Sequence, residues 1–282
     1  SAFVCYNANY YHRNEESAYI MEYTSKYNVR NTMYQQFENS ATERTTNPCL
    51  YYYNNTLSWN ETSELVDKCA AALVANGVKK GDRVIVCLPN MPQCVAAVYA
   101  INKIGAIASM LHPLSVKSEA DYTINLVGAK FAFCFDVSEK SFQNHPELTV
   151  VKKLIDWADF MKEGGKYIAE HGVPETETDY TATAAIMMTG GTTGNPKGVM
   201  LSSVNINNLS YELVDVVEDT LGMAIDKDND GMLTALPVFH GFGFALCMHV
   251  SMCVGMAQSL FPAFDAKMCS QAIKKYHINH IF

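Results

Sequence analysis

Thr189-Gly190-Gly191-Thr192-Thr193-Gly194-Asn195-Pro196-Lys197-Gly198 is the stretch on which the reading of this chain turns. It follows the apolar run Ala184 to Met188, which reads as a buried strand. Its four glycines allow backbone conformations that side chains forbid, so consecutive N–H groups can turn toward one anion. Three threonine hydroxyls add donors, and Lys197 adds a point charge able to reach an outer phosphate. A loop of this composition is suited to holding a polyphosphate. It is not a Walker loop, because Pro196 precedes the lysine and Gly198 stands where a Mg²⁺-binding hydroxyl should follow it.

Outward from the loop, strand and helix patterns alternate. Toward the N-terminus, Phe131 to Phe135, Ala106 to Met110 and Arg83 to Leu88 read as strands. Between and before them, Lys117 to Val127, Met91 to Ile104 and a helix opening at the capping box Ser58-Trp59-Asn60-Glu61 read as helices. Leu50 to Tyr53 and Thr56 to Ser58 suggest a small hairpin, and Asn31 is the expected cap of a helix carrying Met33, Tyr34, Phe37 and Ala41. Val150 to Ile155 is expected as a strand and Trp157 to Met161 as a short helix.

Beyond the loop come a helix near Asn205 to Glu218, a strand Met232 to Leu236, an apolar helix, and a strand near Gln258 to Phe261. A helix capped by Asp265 and a strand Ile278 to Phe282 complete the pattern. Alternation of this kind predicts an α/β fold with mostly parallel sheets and right-handed crossovers. The stretch Gly241 to Phe261 could pass for a membrane helix, but it carries His249, Ser251 and Gln258 and reads as a core helix running into a strand.

The 282 residues are 49% hydrophobic and 18% charged, which is ordinary for a globular protein. A net charge of −8 argues against a nucleic-acid partner. Nine cysteines without a C-x-x-C pair suggest free thiols in a reducing compartment, and with no signal peptide in view the expected location is cytoplasmic.

The loop closely resembles the phosphate loop of the adenylate-forming, or AMP-binding, superfamily, which includes acyl-CoA synthetases, luciferases and peptide-synthetase adenylation domains. Further stretches match that family in order. Ser58 to Leu65 sits at its Tyr-x-Glu-Leu helix start, Gly77-Val78-Lys79-Lys80-Gly81-Asp82-Arg83-Val84 matches the turn into its first core strand, and Leu88-Pro89-Asn90 follows. Lys103-Ile104-Gly105-Ala106 and Leu236-Pro237-Val238-Phe239-His240-Gly241-Phe242-Gly243 complete the series. Where many members carry a His after the Leu-Ser pair, this chain has Ser203.

The resemblance implies part of the large N-terminal domain of an adenylate-forming enzyme over residues 31–282, with residues 1–30 as an extension. It implies a carboxylic acid activated by ATP and Mg²⁺ to an acyl-adenylate, then transferred to coenzyme A. It makes Thr189, Gly190, Gly191, Thr192, Thr193, Gly194 and Lys197 phosphate-binding, and Phe239, His240 and Gly241 part of the carboxylate pocket. His240 stands where peptide-synthetase domains place an Asp, which disfavours α-amino acids. The family's adenine-binding turn, ribose-binding Asp, metal-holding acid and small domain with its catalytic lysine have no match in these residues. The expectation is therefore an incomplete domain without the C-terminal small domain, holding no catalytic or metal-binding residue and inactive by itself. Transfer to a carrier protein, and a non-catalytic nucleotide-binding module, are the alternatives.

Two features are set aside. Asp226-Lys227-Asp228-Asn229-Asp230-Gly231 copies the first half of a calcium loop, but Pro237 occupies the position of its bidentate Glu. Glu64, Asp67 and Lys68 are expected on the solvated side of their helix.

Overall fold

Strands β4 (Arg83–Cys87) and β6 (Phe131–Cys134) are nearly continuous apolar runs, the pattern of strands covered on both faces. The computed structural model describes residues 3–5, 26–189 and 196–282. Among these, the larger sheet has the order β1 (Phe3–Cys5), β9 (Gly198–Ser202), β8 (Thr183–Met188), β5 (Ile107–Met110), β4, β6 and β7 (Thr149–Lys152). Its neighbours are parallel except β8 and β9.

Alternate residues point to opposite sides. Val84, Val86, Phe131 and Phe133 share a core with α1 (Met33–Glu43), α2 (Trp59–Ala75), α3 (Pro92–Lys103) and Phe160 of α5 (Lys153–His171). Ile85, Cys87, Ala132 and Cys134 pack instead with Ala120, Ile124 and Val127 of α4 (Lys117–Val127). The smaller sheet has the order β10 (Gly231–Thr234), β11 (Ala257–Leu260), β2 (Pro48–Tyr52) and β3 (Asn55–Ser58). The mostly parallel α/β architecture expected from the alternation is therefore present.

Several expectations change in detail. The cap of α1 is Thr32, not Asn31: its hydroxyl accepts from the Gln35 amide while the Gln35 side chain accepts from the Thr32 amide. The backbone carbonyl of Asn31 is taken by the Asn207 side chain. Helix α5 has 19 residues rather than the short Trp157 to Met161 segment. It runs through Gly164 and Gly165, and a Cβ on Gly164 would stand 1.9 Å from the Lys68 carbonyl oxygen. That glycine lets α5 lie directly against α2.

Strand β9 is an addition. The chain leaves the loop as a strand antiparallel to β8, and only then enters α6 (Ser203–Asp215), which runs on into a π-helical turn, Val216–Thr220. Ile278 to Phe282 makes only a first bridge to β10, between His280 and Met232. Asp67 is not simply solvated: its carboxylate accepts from the buried Lys103 ammonium at 2.6 Å.

The stretch from Gly241 is a core helix and strand, as expected. A π-helical turn, Gly243–His249, leads into α7 (Val250–Val254), then β11. The wholly buried His249 explains its polar residue. The side-chain amide of Asn207 donates to the carbonyls of Val29 and Asn31, which leaves its oxygen to accept from His249 Nε2–H at 2.7 Å. His249 Nδ1 then accepts from the Tyr99 hydroxyl at 2.7 Å. Burial lowers the ring's pKa to about 3, so it is a neutral structural link. No helix among the described residues is long and apolar enough to cross a membrane. In the Asp226–Asp230 turn the carboxylates accept from the chain's own Asp228 amide, Asn229, Asn279 and His280, and Asp228 pairs with buried Arg44.

Candidate functional site

The phosphate-loop motif is the connection of the β8–β9 hairpin. Gly190, Gly191, Thr192, Thr193, Gly194 and Asn195 lie outside the described residues. Its two ends are described, and they close on each other. The Thr189 amide donates to the Lys197 carbonyl at 2.9 Å, and the Lys197 amide donates back to Thr189 Oγ1 at 3.2 Å. Both residues are exposed, and the Lys197 ammonium has no acidic partner among the described residues. A free cation beside two outward-facing ends is the arrangement an anionic ligand needs.

Opposite stands the segment from Leu236 to Phe242, between β10 and the second π-helical turn. Its shape is set from a distance by Asn90, which is buried in the turn after β4. The Asn90 amide donates to the carbonyls of Thr234 at 3.0 Å and Leu236 at 2.8 Å, and its oxygen accepts from the Val238 amide at 3.0 Å. Gly243 allows the chain to fold back, since a Cβ there would lie 2.2 Å from the Pro237 carbonyl oxygen. Phe239 packs its ring 4.5 Å from that of His112 and 5.1 Å from that of His240. His112 is held in turn: its carbonyl accepts from the Cys87 thiol, and its Nδ1 accepts from the Leu114 amide at 3.0 Å.

Between these parts lies an open cavity of about 380 Å³. Met110, His112, Tyr122 and Met188 line it together with Thr189, Pro196, Phe239 and His240. Its apolar floor comes from the C-terminal ends of β5 and β8, where parallel α/β sheets place their ligands. Of the residues expected from the sequence, Thr189, Phe239 and His240 are thus brought to one cavity, with Lys197 one residue beyond its wall. Gly241 lies on the surface outside the wall, and a Cβ there would meet nothing within 4 Å.

His112, Tyr122 and Asn90 were not singled out as site residues. The signals for Asn90 were its place in the Leu88-Pro89-Asn90 stretch and a polar residue closing an apolar strand, and neither gave it a role. Ser203 is buried, and its hydroxyl accepts from the Met33 amide, the first of α1.

The fold and this cavity define an α/β protein with an open site at the C-terminal ends of parallel strands, and comparison with known proteins gives its family. The family model described as AMP-binding enzyme matches residues 37–282, so the chain belongs to the AMP-binding enzyme family. Among curated relatives, 4-coumarate:CoA ligase 1 of Petunia hybrida is 28% identical over 249 residues, covering 86% of this chain and 45% of its own. A long-chain-fatty-acid–CoA ligase of Bacillus subtilis is 26% identical over 257 residues, covering 80% of this chain and 45% of its own. The chain therefore spans about half the length of the curated relatives it matches.

Solved structures share the fold. O-succinylbenzoate coenzyme A synthetase of Bacillus subtilis, in complex with ATP and magnesium ion, superposes with a TM-score of 0.71 at 24% identity, over 87% of this chain and 62% of that one. A long-chain-fatty-acid-CoA ligase of Archaeoglobus fulgidus gives 0.77 at 21% identity, over 90% of this chain and 52% of that one.

Proposed function

We propose that the full-length protein activates a carboxylic acid with ATP to an acyl-adenylate, releasing pyrophosphate, and then transfers the acyl group to coenzyme A. The observation that carries this reading is the closed end of the β8–β9 hairpin, where Lys197, without an acidic partner among the described residues, stands next to a cavity walled by Phe239 and His240. The names of the relatives, CoA ligases for aryl and fatty acids, support the reaction class.

In this reading residues 31–282 are part of the N-terminal AMP-binding domain and residues 1–30 an extension. Thr189 and Lys197, with Gly190, Gly191, Thr192, Thr193 and Gly194, hold the leaving phosphates. Displacement at phosphorus rewards positioning and neutralised charge, and both need only a fixed cation and aligned donors. Phe239 and His240 border the reacting carboxylate. His240, unlike an Asp, offers no carboxylate to an α-ammonium group, so the acid is an acyl or aryl acid rather than an α-amino acid.

Mg²⁺, bound with the nucleotide, would neutralise phosphate charge. No group of three or more His, Cys, Asp or Glu side chains converges as a metal site among the described residues, so none is assigned to the ion. The eight cysteines whose side chains are described form no disulfide among themselves, which fits a cytoplasmic location.

The test is carboxylate-dependent exchange of pyrophosphate into ATP by the full-length protein, with short, medium and long fatty acids and aryl acids, followed by addition of coenzyme A. At least one acid should support exchange and yield a thioester. Exchange with none of them, in a folded protein, would overturn the assignment. Adenylate formed but never passed to coenzyme A would favour a carrier protein as acceptor.

A further inference from the structure

The returning limb of the hairpin is held by more than the hairpin itself. Tyr122, on α4, donates its phenolic hydroxyl to the Pro196 carbonyl oxygen at 2.8 Å. That carbonyl belongs to the same peptide unit as the Lys197 N–H, which donates to Thr189 Oγ1 at 3.2 Å. A peptide unit is planar and stiff, so two hydrogen bonds to its opposite edges fix its orientation. Proline contributes a restricted φ on one side of the unit. The Lys197 Cα, from which the ammonium is launched, is the next atom of that plane.

The anchor is itself rigid. Ala120, Ile124 and Val127 bury α4 against the larger sheet. Arg83 clamps the helix end, donating from Nε to the Val127 carbonyl at 2.6 Å and from Nη2 to that of Gly128 at 2.9 Å. At the other end Lys117 pairs with Asp121 at 2.7 Å. Tyr122 is half-buried and stands in the wall of the cavity next to Thr189 and Pro196.

We propose that Tyr122 is a positioning residue for Lys197: it holds the peptide unit from which the lysine reaches the nucleotide. This rests on the reading of the loop as a phosphate site, but the geometry it asserts is independent of any reaction.

The experiment is Tyr122→Phe in the full-length protein, which removes one oxygen and keeps the ring. The first readout needs no activity. In nucleotide-free protein, trypsin cleavage after the exposed Lys197, mapped by mass spectrometry, should speed up about 2- to 12-fold. This is the change in an opening equilibrium when one hydrogen bond is lost. The second readout is pyrophosphate exchange, where KM for ATP should rise by a similar factor while KM for the acid stays unchanged. Tyr276→Phe, which loses a hydroxyl bonded to the distant Tyr53 carbonyl, should change neither.

Unchanged cleavage at Lys197 in folded Tyr122→Phe overturns the proposal. So does an equal rise at every tryptic site with a lowered melting point, which would make Tyr122 merely structural. Faster cleavage at Lys197 in a protein that never shows exchange supports the positioning role while removing the ligase reading.

Discussion

Asn90 and Lys197 show at the residue scale how differently two polar groups serve one cavity. Asn90 is buried and makes three hydrogen bonds to the segment that presents Phe239 and His240. Asn90→Ala leaves two carbonyls and one amide without that partner, and should lower stability by about 2–3 kcal/mol in urea denaturation. The Lys197 side chain is exposed and has no acidic partner among the described residues, so Lys197→Ala should leave stability nearly unchanged. On the proposed function its effect belongs to the reaction: loss of a charge-assisted phosphate contact of about 1.5–3 kcal/mol should slow adenylation about 10- to 150-fold. Urea denaturation checks the first part, and pyrophosphate exchange in the full-length protein, with KM for the acid as the internal control, checks the second. Lys197 was legible because glycines and threonines surround it. Asn90 was not, because its partners lie 144 to 148 positions along the chain.

At the scale of elements, the two glycines of α5 make opposite predictions. A Cβ on Gly164 would meet the Lys68 carbonyl oxygen at 1.9 Å, while one on Gly165 would meet nothing within 4 Å. Gly165→Ala should therefore stabilise by about 0.5–1 kcal/mol through helix propensity, and Gly164→Ala should destabilise by more than about 1 kcal/mol by forcing α5 off α2. Thermal unfolding of the two variants separates them. The sequence shows both glycines alike, so nothing local tells which of them the packing requires.

His249 adds a pH dependence. Its unfolded ring binds a proton below about pH 6.5, but the folded one only near pH 3, so stability falls as pH drops between these values. The slope from this group is up to about 1.4 kcal/mol per pH unit, and His249→Gln should remove it while lowering stability at pH 7.5. Urea midpoints at pH 7.5, 6.5, 5.5 and 4.5 in both proteins test this. The capping boxes, by contrast, were readable, because donor and acceptor lie three residues apart: Ser58 with Glu61 needs no tertiary partner. Thr32 was missed because Asn31 beside it is an equally good capping residue, and the choice falls to Asn207.

For the whole molecule, the alternation of strands and helices foretold parallel sheets but not their division into two. That division depends on β2 joining β11, with Leu50 opposite Gln258, a pairing no local pattern announces. Nor does local pattern tell that the glycine-rich loop connects the strands of a hairpin, because β9 is a five-residue strand running directly into α6. The same assembly leaves an apolar surface beside the smaller sheet. Among the described residues the outer edge of β10 is paired by Asn279 and His280, and next to it the rings of Phe242 and Phe282 meet at 5.7 Å. Phe242, Ile281 and Phe282 are 49%, 51% and 46% exposed, so apolar side chains, two of them in contact, stand exposed near a strand edge. A net charge of −8 opposes association only weakly at physiological salt, where repulsion is screened beyond about 8 Å. The polypeptide of residues 1–282 should therefore associate as its concentration rises, more strongly in high salt than in low. The double variant Phe242→Ser, Phe282→Ser should shift it back toward monomer, because both substitutions remove apolar area and leave the buried core untouched. Sedimentation velocity across a concentration series reads this directly. A wild-type polypeptide that stays monomeric at high concentration, or a double variant that associates just as strongly, would show that this cluster is not what brings the copies together.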